Sequence, residues 1–120
     1  MTKIEAEKLY VEASKKADRH VVIVNPTFMI GSHDTKPSSG KLMLMGYKKR
    51  IMFVPNGGKN FVAVSDVATA ICNALTLGKN GSRYLLSGIN ISFKEFYKIQ
   101  SRVGGYDQKV IVLPDFLLEI

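Results

Sequence analysis

Apolar positions at the start of the chain recur with a helical period. Between residues 2 and 17 they fall at Ala6, Leu9, Tyr10, Ala13 and Ala17, a spacing that places them on one helical face. Glu5, Glu7, Lys8, Glu12, Lys15 and Lys16 fill most of the other face, and Glu12 and Lys16 are set for an i,i+4 ion pair. Thr2 stands three places before Glu5, but only Met1 precedes it, and no capping box is expected. Asp18, Arg19 and His20 end the helix. The pattern then changes to Val21-Val22-Ile23-Val24, an unbroken β-branched run bounded by a polar turn and by Pro26. Such a run predicts a strand covered on both faces, as in a parallel sheet. A helix leading into a covered strand is half of a βαβ unit.

Residues 25–40 are rich in Pro, Gly, Ser and Asp and predict a loop just past the carboxyl end of that strand, where α/β sheets bind ligands. A short helix follows at 39–47, carrying Leu42, Leu44 and Met45. The apolar runs 51–55 and 60–64 flank Asn56-Gly57-Gly58 and predict a hairpin. Ser65 is placed as the N-cap of a helix with Val67, Ala70, Ile71, Ala74 and Leu75 on one face, Asp66 in the first turn and Gly78 as the stop. A strand is predicted at 83–88. Ser92 caps a helix of about 93–103 with Phe93, Phe96, Tyr97 and Ile99 inward. A last strand follows at 109–114, and Asp115 begins another helix. The order is α-β-loop-α-β-β-α-β-α-β-α, an α/β architecture with a mixed outer lobe.

Composition narrows the function. The 120 residues suit one small domain, and 46% hydrophobic with 22% charged residues is a globular composition. No apolar run approaches the roughly 20 residues of a membrane helix. Lys3 and Glu5 lie where a signal peptide would turn apolar, so a cytoplasmic location is expected. The single cysteine, Cys72, excludes an internal disulfide and is expected to be a small buried hydrophobe. The net charge is +7, but the cations cluster only at 15–16 and 48–50. They lack interleaved aromatics or zinc-ligand spacing, so a nucleic-acid partner has little support, and a solvated face or a phosphate-bearing ligand is preferred. His20 and His33 form no metal-ligand spacing with the cysteine or an acid, and no metal is expected. No glycine-rich dinucleotide fingerprint, P-loop or nucleophile elbow occurs.

Several stretches nevertheless fall in a familiar order: TKIEAEKL, VVIVNPTFMIG, TKPSSGKL, PNGGKNFVAVSDVATAICNAL, and GSRYLLSG with INISFKEF. Over residues 1–115 the chain resembles the extended short-chain dehydrogenase/reductases, especially the NAD-dependent epimerase/dehydratase and dihydroflavonol reductase-like branch. The resemblance implies an α/β fold: the C-terminal part of an NAD(P)-binding Rossmann-type enzyme with a small mixed substrate lobe. Residues 1–120 then form one partial domain, without the N-terminal dinucleotide-binding part. The family's active site is Tyr-x-x-x-Lys on a helix. The Tyr is the acid/base, and the Lys lowers its pKa and holds the nicotinamide ribose, as a nearby cation favours the phenolate. Thr2-Lys3 matches the end of that motif, which makes Lys3 the catalytic and cofactor-binding candidate, and the tyrosine falls two places before Met1.

Further roles follow from the same resemblance. Pro26, Thr27 and Met29 match the loop lining the nicotinamide, and Ser39 a position near the cofactor phosphates. Phe28, Leu42, Met43 and Tyr47 are the substrate-pocket candidates. Gly31-Ser32-His33-Asp34 stands where the family has Gly-Pro-aromatic-Asp. The implied parent uses NAD or NADP on a small carbonyl or alcohol substrate. The chain alone is expected to hold no cofactor and to be inactive. The alternative expectation is a non-catalytic partner-binding or dimerising module, associating through an exposed sheet edge.

Overall fold

The computed structural model describes residues 1–118. Helix α1 (Lys3–Ser14) is followed by strands β1 (Ile23–Pro26) and β2 (Phe28–Ile30) and by helix α2 (Lys41–Gly46). Then come β3 (Ile51–Pro55), β4 (Gly58–Ala63), α3 (Val64–Leu77), β5 (Arg83–Leu86), β6 (Ile89–Ser92), α4 (Phe93–Gly104), β7 (Lys109–Leu113) and a 3-10 turn at Asp115–Leu117. The part of the last expected helix beyond Leu118 lies outside the described residues.

The α/β reading holds, and among the described residues the strands pair in three small sheets. β1 runs parallel to β5, β3 runs parallel to β7, and β4 lies between β2 (parallel) and β6 (antiparallel). Strands 51–55 and 58–63 exist, but they do not form the expected hairpin. Gly57, at φ +109°, turns the chain out of one sheet and into another. β3 is drawn instead to the apolar run of β7, in register from Ile51 opposite Lys109 to Pro55 opposite Leu113. β2 occupies part of the predicted 25–40 loop, and β6 was not expected; both are short strands on β4.

Helix α1 differs from its sequence reading. It ends at Ser14, well short of residue 17, because the Lys15 and Lys16 N–H groups turn back to the Glu12 and Ala13 carbonyls. The capping box that was not expected is present. Thr2 Oγ1 accepts from the Glu5 N–H at 3.2 Å, and Glu5 Oε2 accepts from the Thr2 N–H at 2.7 Å. Glu12 pairs with Lys15, at 2.7 Å, rather than with Lys16. Leu9 and Tyr10 are exposed. The helix is held instead by buried Ser14 and by Glu7, which reaches Arg83 at 3.4 Å. Asn80 ties the end of α1 to the start of β1, donating to the Ser14 carbonyl and accepting from the Val21 N–H, both at 2.8 Å. That tie, and the start of the ladder at Ile23 opposite Arg83, delay β1 by two residues. β1 is half-buried rather than covered on both faces.

Helix α3 starts at Val64 directly from the end of β4, so Ala63, not Ser65, is the N-cap. Asp66 is in the first turn and Gly78 is the C-cap, as read from the sequence. Ser92 caps α4 through the Glu95 N–H at 3.1 Å, and α4 buries Phe96 and Tyr97. These two join Met52, Val54 and Phe61 in the core, flanked by Phe28, Ile30, Leu42, Ile91, Phe93 and Val110. Phe61 stacks on Phe96 at 4.9 Å between ring centroids, and Phe28 meets Phe61 edge-on at 5.4 Å.

This core is small for the chain. The radius of gyration is 18.6 Å, against about 14 Å for a compact domain of this length. The accessible surface is 9009 Å², about 2,500 Å² more than a folded monomer of this mass exposes. Leu75, Leu77 and Leu85 are each at least 72% exposed. Cys72 is also exposed, contrary to the expectation of a buried residue, because nothing within the described residues covers that side of α3.

Candidate functional site

The site is organised by a fork between strands. β1 and β5 run side by side until Pro26 and Leu86. Beyond Thr27 and Gly88 the two chains separate as β2 and β6, and β4 enters between them, with Phe61 opposite both Phe28 and Ile89. Asn60 stands at the crotch of the fork. Its Oδ1 accepts from Thr27 Oγ1 at 2.7 Å and from the Gly88 N–H at 2.9 Å, and its Nδ2 donates to Asn90 Oδ1 at 2.8 Å. The Thr27 N–H donates to the Leu86 carbonyl at 3.0 Å, so Thr27 is fixed at both backbone and side chain. Gly88 has no room for a side chain, since a Cβ there would run into the Phe61 carbonyl.

Past the fork, Met29 and Ser39 line one cleft of about 260 Å³, with Gly31, Ser32, His33, Asp34, Ser38, Gly40 and Val64. The loop over it is shaped by Asp34. Its Oδ2 accepts from the Gly40 N–H at 3.1 Å and the Ser38 N–H at 3.3 Å. His33 adopts φ +67°, uncommon for a residue with a side chain. Gly31 packs directly on Val64, leaving no space for a Cβ. Asp34 thus keeps a fixed turn although Ser32 and His33 depart from the family pattern. Its carboxylate also takes two backbone donors that an anion at Ser39 would otherwise use. At about 260 Å³ the cleft has room for a single ring system rather than a whole dinucleotide.

The substrate candidates are split by the structure. Met43 and Tyr47 line a second, apolar cleft of about 400 Å³ with Ile30, Phe61, Ile89, Ile91, Phe96, Ile99, Val103 and Gly104. The two clefts share only Ile30. Phe28 and Leu42 line neither and pack on the core. Lys3 is the first residue of α1, is exposed, and lines neither cleft.

Sequence reasoning missed the residues that hold α2. Its carbonyl groups are taken by side chains from α4 and the following loop. Tyr97 Oη donates to the Leu42 carbonyl at 2.9 Å and Gln100 Nε2 to that of Met43 at 2.7 Å. Gln108 Nε2 donates to Gly46 at 2.7 Å and to Lys49 at 3.0 Å. Tyr97 is almost wholly buried, and burial pushes its phenol pKa up. Asn60 and Gln108 carried no sequence signal beyond being polar residues beside turns.

No protein-family model matches the chain. It is 32% identical over 109 residues to a candidate dihydroflavonol 4-reductase from Synechocystis sp., a match that spans 87% of this chain and 32% of that protein. Among solved structures, gox2253 superposes with a TM-score of 0.81 at 29% identity, over 94% of this chain and 34% of the other. RMD from Pseudomonas aeruginosa, solved with NADPH, shares the fold at a TM-score of 0.73 and 18% identity, over 92% of this chain and 42% of the other. The chain spans about a third of the length of the relatives it matches. Among the described residues, no helix is long and apolar enough to cross a membrane. Over about a third of their length, the chain is similar in sequence to a dihydroflavonol reductase-like protein and shares the fold of these solved structures, a likeness to the extended short-chain dehydrogenase/reductases.

Proposed function

We propose that the chain is the C-terminal, substrate-side portion of an NAD(P)-dependent oxidoreductase or epimerase acting on a carbonyl or alcohol carbon. The observation that carries this reading is the fork. It fixes Pro26 and Thr27 at the carboxyl end of a parallel strand pair, and the chain runs on from Thr27 through β2 to Met29, which lines the cleft with Ser39. Ligands of open α/β sheets bind at that end. The nicotinamide ring would lie against Thr27 and Met29, with hydride passing between it and the substrate carbon. Lys3 would hold the ribose and favour the phenolate of a tyrosine one helical turn earlier. Met43 and Tyr47 would face the substrate's apolar body.

The surface surplus supports a requirement for the rest of such an enzyme. About 2,500 Å² of excess exposure is on the scale of an obligate interface. The isolated chain is therefore expected to hold no dinucleotide and to be catalytically silent. Mixed with NADPH and a panel of aldehydes and ketones, it should leave NADPH absorbance unchanged; steady oxidation would overturn this reading.

A second reading, a dimerising module, is favoured by one observation. Among the described residues, β1 has β5 as a neighbour on one side only, and alternation along the ladder turns the Val24 N–H and C=O toward the open edge. Light scattering after size exclusion separates the readings: a monomer at all concentrations ends the second, and a concentration-dependent dimer supports it.

A further inference from the structure

The sequence contains two Asn-Gly pairs, Asn56-Gly57 and Asn80-Gly81, and the fold treats them differently. Asparagine is a labile residue, most of all before glycine, where no side chain hinders the glycine nitrogen from reaching the asparagine side-chain carbonyl. Both asparagines are exposed, and both glycines adopt positive φ, +109° at Gly57 and +77° at Gly81. Asn80 is nevertheless held at each group that would have to move. Its Oδ1 accepts from the Val21 N–H and its Nδ2 donates to the Ser14 carbonyl, both at 2.8 Å. The Gly81 N–H donates to the Val21 carbonyl at 2.7 Å. Asn56 lacks these restraints. Among the described residues, neither its side chain nor the Gly57 N–H has a hydrogen-bond partner. No atom lies within 4 Å of where a Gly57 Cβ would stand. The chain is fixed again just beyond: the Gly57 carbonyl accepts from the Phe93 N–H at 3.0 Å, and Gly58 lies tight against the Ile91 carbonyl.

We infer that Asn56 is a site of spontaneous deamidation, and that the fold protects Asn80 from the same reaction. The Gly57 nitrogen attacks Asn56 Cγ. A C–N bond forms, the Gly57 amide proton goes to solvent, and the side-chain nitrogen leaves as ammonia. Water then opens the succinimide. Cleavage at Cγ leaves aspartate, and cleavage at the main-chain carbonyl leaves isoaspartate. This goes beyond the oxidoreductase reading, because the step needs only water. Isoaspartate also inserts one backbone carbon ahead of Gly57, where the fixed position of Gly58 allows no compensating shift, so the Gly57 bond to the start of α4 is strained or lost.

The test incubates the full chain at mildly alkaline pH, folded and in urea, and then digests it with trypsin alongside an unincubated control. Cleavage after Arg50, Lys59, Lys79 and Arg83 places each Asn-Gly in its own peptide. Mass spectrometry reads the exchange of amide for acid. In the folded chain Asn56 should react at least about tenfold faster than Asn80, because a locked pair reacts only from an opened state. In urea the two rates should converge. Equal rates in the folded chain overturn the inference, as does an unreactive Asn56 in the folded chain when the unfolded chain reacts. Rates that stay as far apart in urea assign the difference to local sequence and overturn the protective role of the fold. In hydrogen exchange, the Phe93 amide should lose protection in the isoaspartyl fraction and keep it in Asn56→Asp, which carries the charge without the added carbon. Equal protection in the two overturns the link to α4.

Discussion

Asn60 Oδ1 lies 2.7 Å from Thr27 Oγ1, thirty-three positions away in sequence, and the same oxygen accepts the Gly88 N–H from the other prong of the fork. One side chain therefore fixes both points at which strands change sheets. In Asn60→Ala, both donors lose their acceptor, and the variant should be destabilised by about 2 kcal/mol in urea titration. Thr27→Val removes one donor and keeps the Gly88 bond, and should cost about 1 kcal/mol. In hydrogen exchange, the Gly88 amide should lose protection in Asn60→Ala and keep it in Thr27→Val. Equal Gly88 protection in both variants would mean that Asn60 does not hold the fork.

Tyr97 makes stability pH-dependent on the alkaline side. Burial raises its pKa above the ordinary value of 10.0. Below pH 10 the folded and unfolded chains both keep the phenol proton, and the contribution of Tyr97 is fully present. As pH rises from 10 toward the folded value, the unfolded chain releases the proton first, so stability falls. Denaturation titrations from pH 8 to 11 should show this loss in the native chain and a shallower one in Tyr97→Phe. The variant should also be weaker by about 1 kcal/mol at pH 8, where the Leu42 carbonyl loses its donor. Parallel pH profiles for the two proteins would contradict the assignment.

Gly46 ends α2 against the buried Tyr97 ring, and a Cβ there would overlap that ring. Alanine ordinarily stabilises a helix relative to glycine. Here Gly46→Ala should destabilise by about 1–3 kcal/mol, because neither the core nor the side-chain donors that hold α2 can move aside. A higher melting temperature for the variant would show that α2 is mobile on α4.

The sequence made some elements legible and left others hidden, for physical reasons. Helices α3 and α4 and strands β5 and β7 follow from apolar spacing, because each carries its pattern within its own residues. Strand partners do not follow. Gly57 suits a hairpin turn as well as a departure into another sheet, and the apolar run at 109–113 competed successfully for β3. The three-residue β2 was hidden within a run of turn-forming residues. Apolar spacing also marks a face that seeks cover without saying whether the chain supplies it. Leu9 and Leu75 fall on the apolar faces of their helices, and Cys72 is expected to be buried, yet all three are exposed. At the candidate site, Met29 and Ser39 do line one cleft, as do Met43 and Tyr47 another, but Phe28 and Leu42 belong to the core. Asn60 and Gln100 act through bonds 28 to 57 positions away in sequence, which no local pattern reports.

The central claim is that this chain supplies the substrate side of a nicotinamide-dependent enzyme through Lys3 and the fork. The most direct measurement uses a chimera in which the chain replaces the matching part of RMD from Pseudomonas aeruginosa, which was solved with NADPH. NADPH binding and NADPH oxidation are followed with a panel of carbonyl compounds, with and without Lys3→Met. The account predicts that the chimera binds NADPH and turns over at least one carbonyl, and that Lys3→Met lowers turnover by about 100-fold or more. A folded chimera that binds no NADPH, or one whose turnover is unchanged by Lys3→Met, would contradict it.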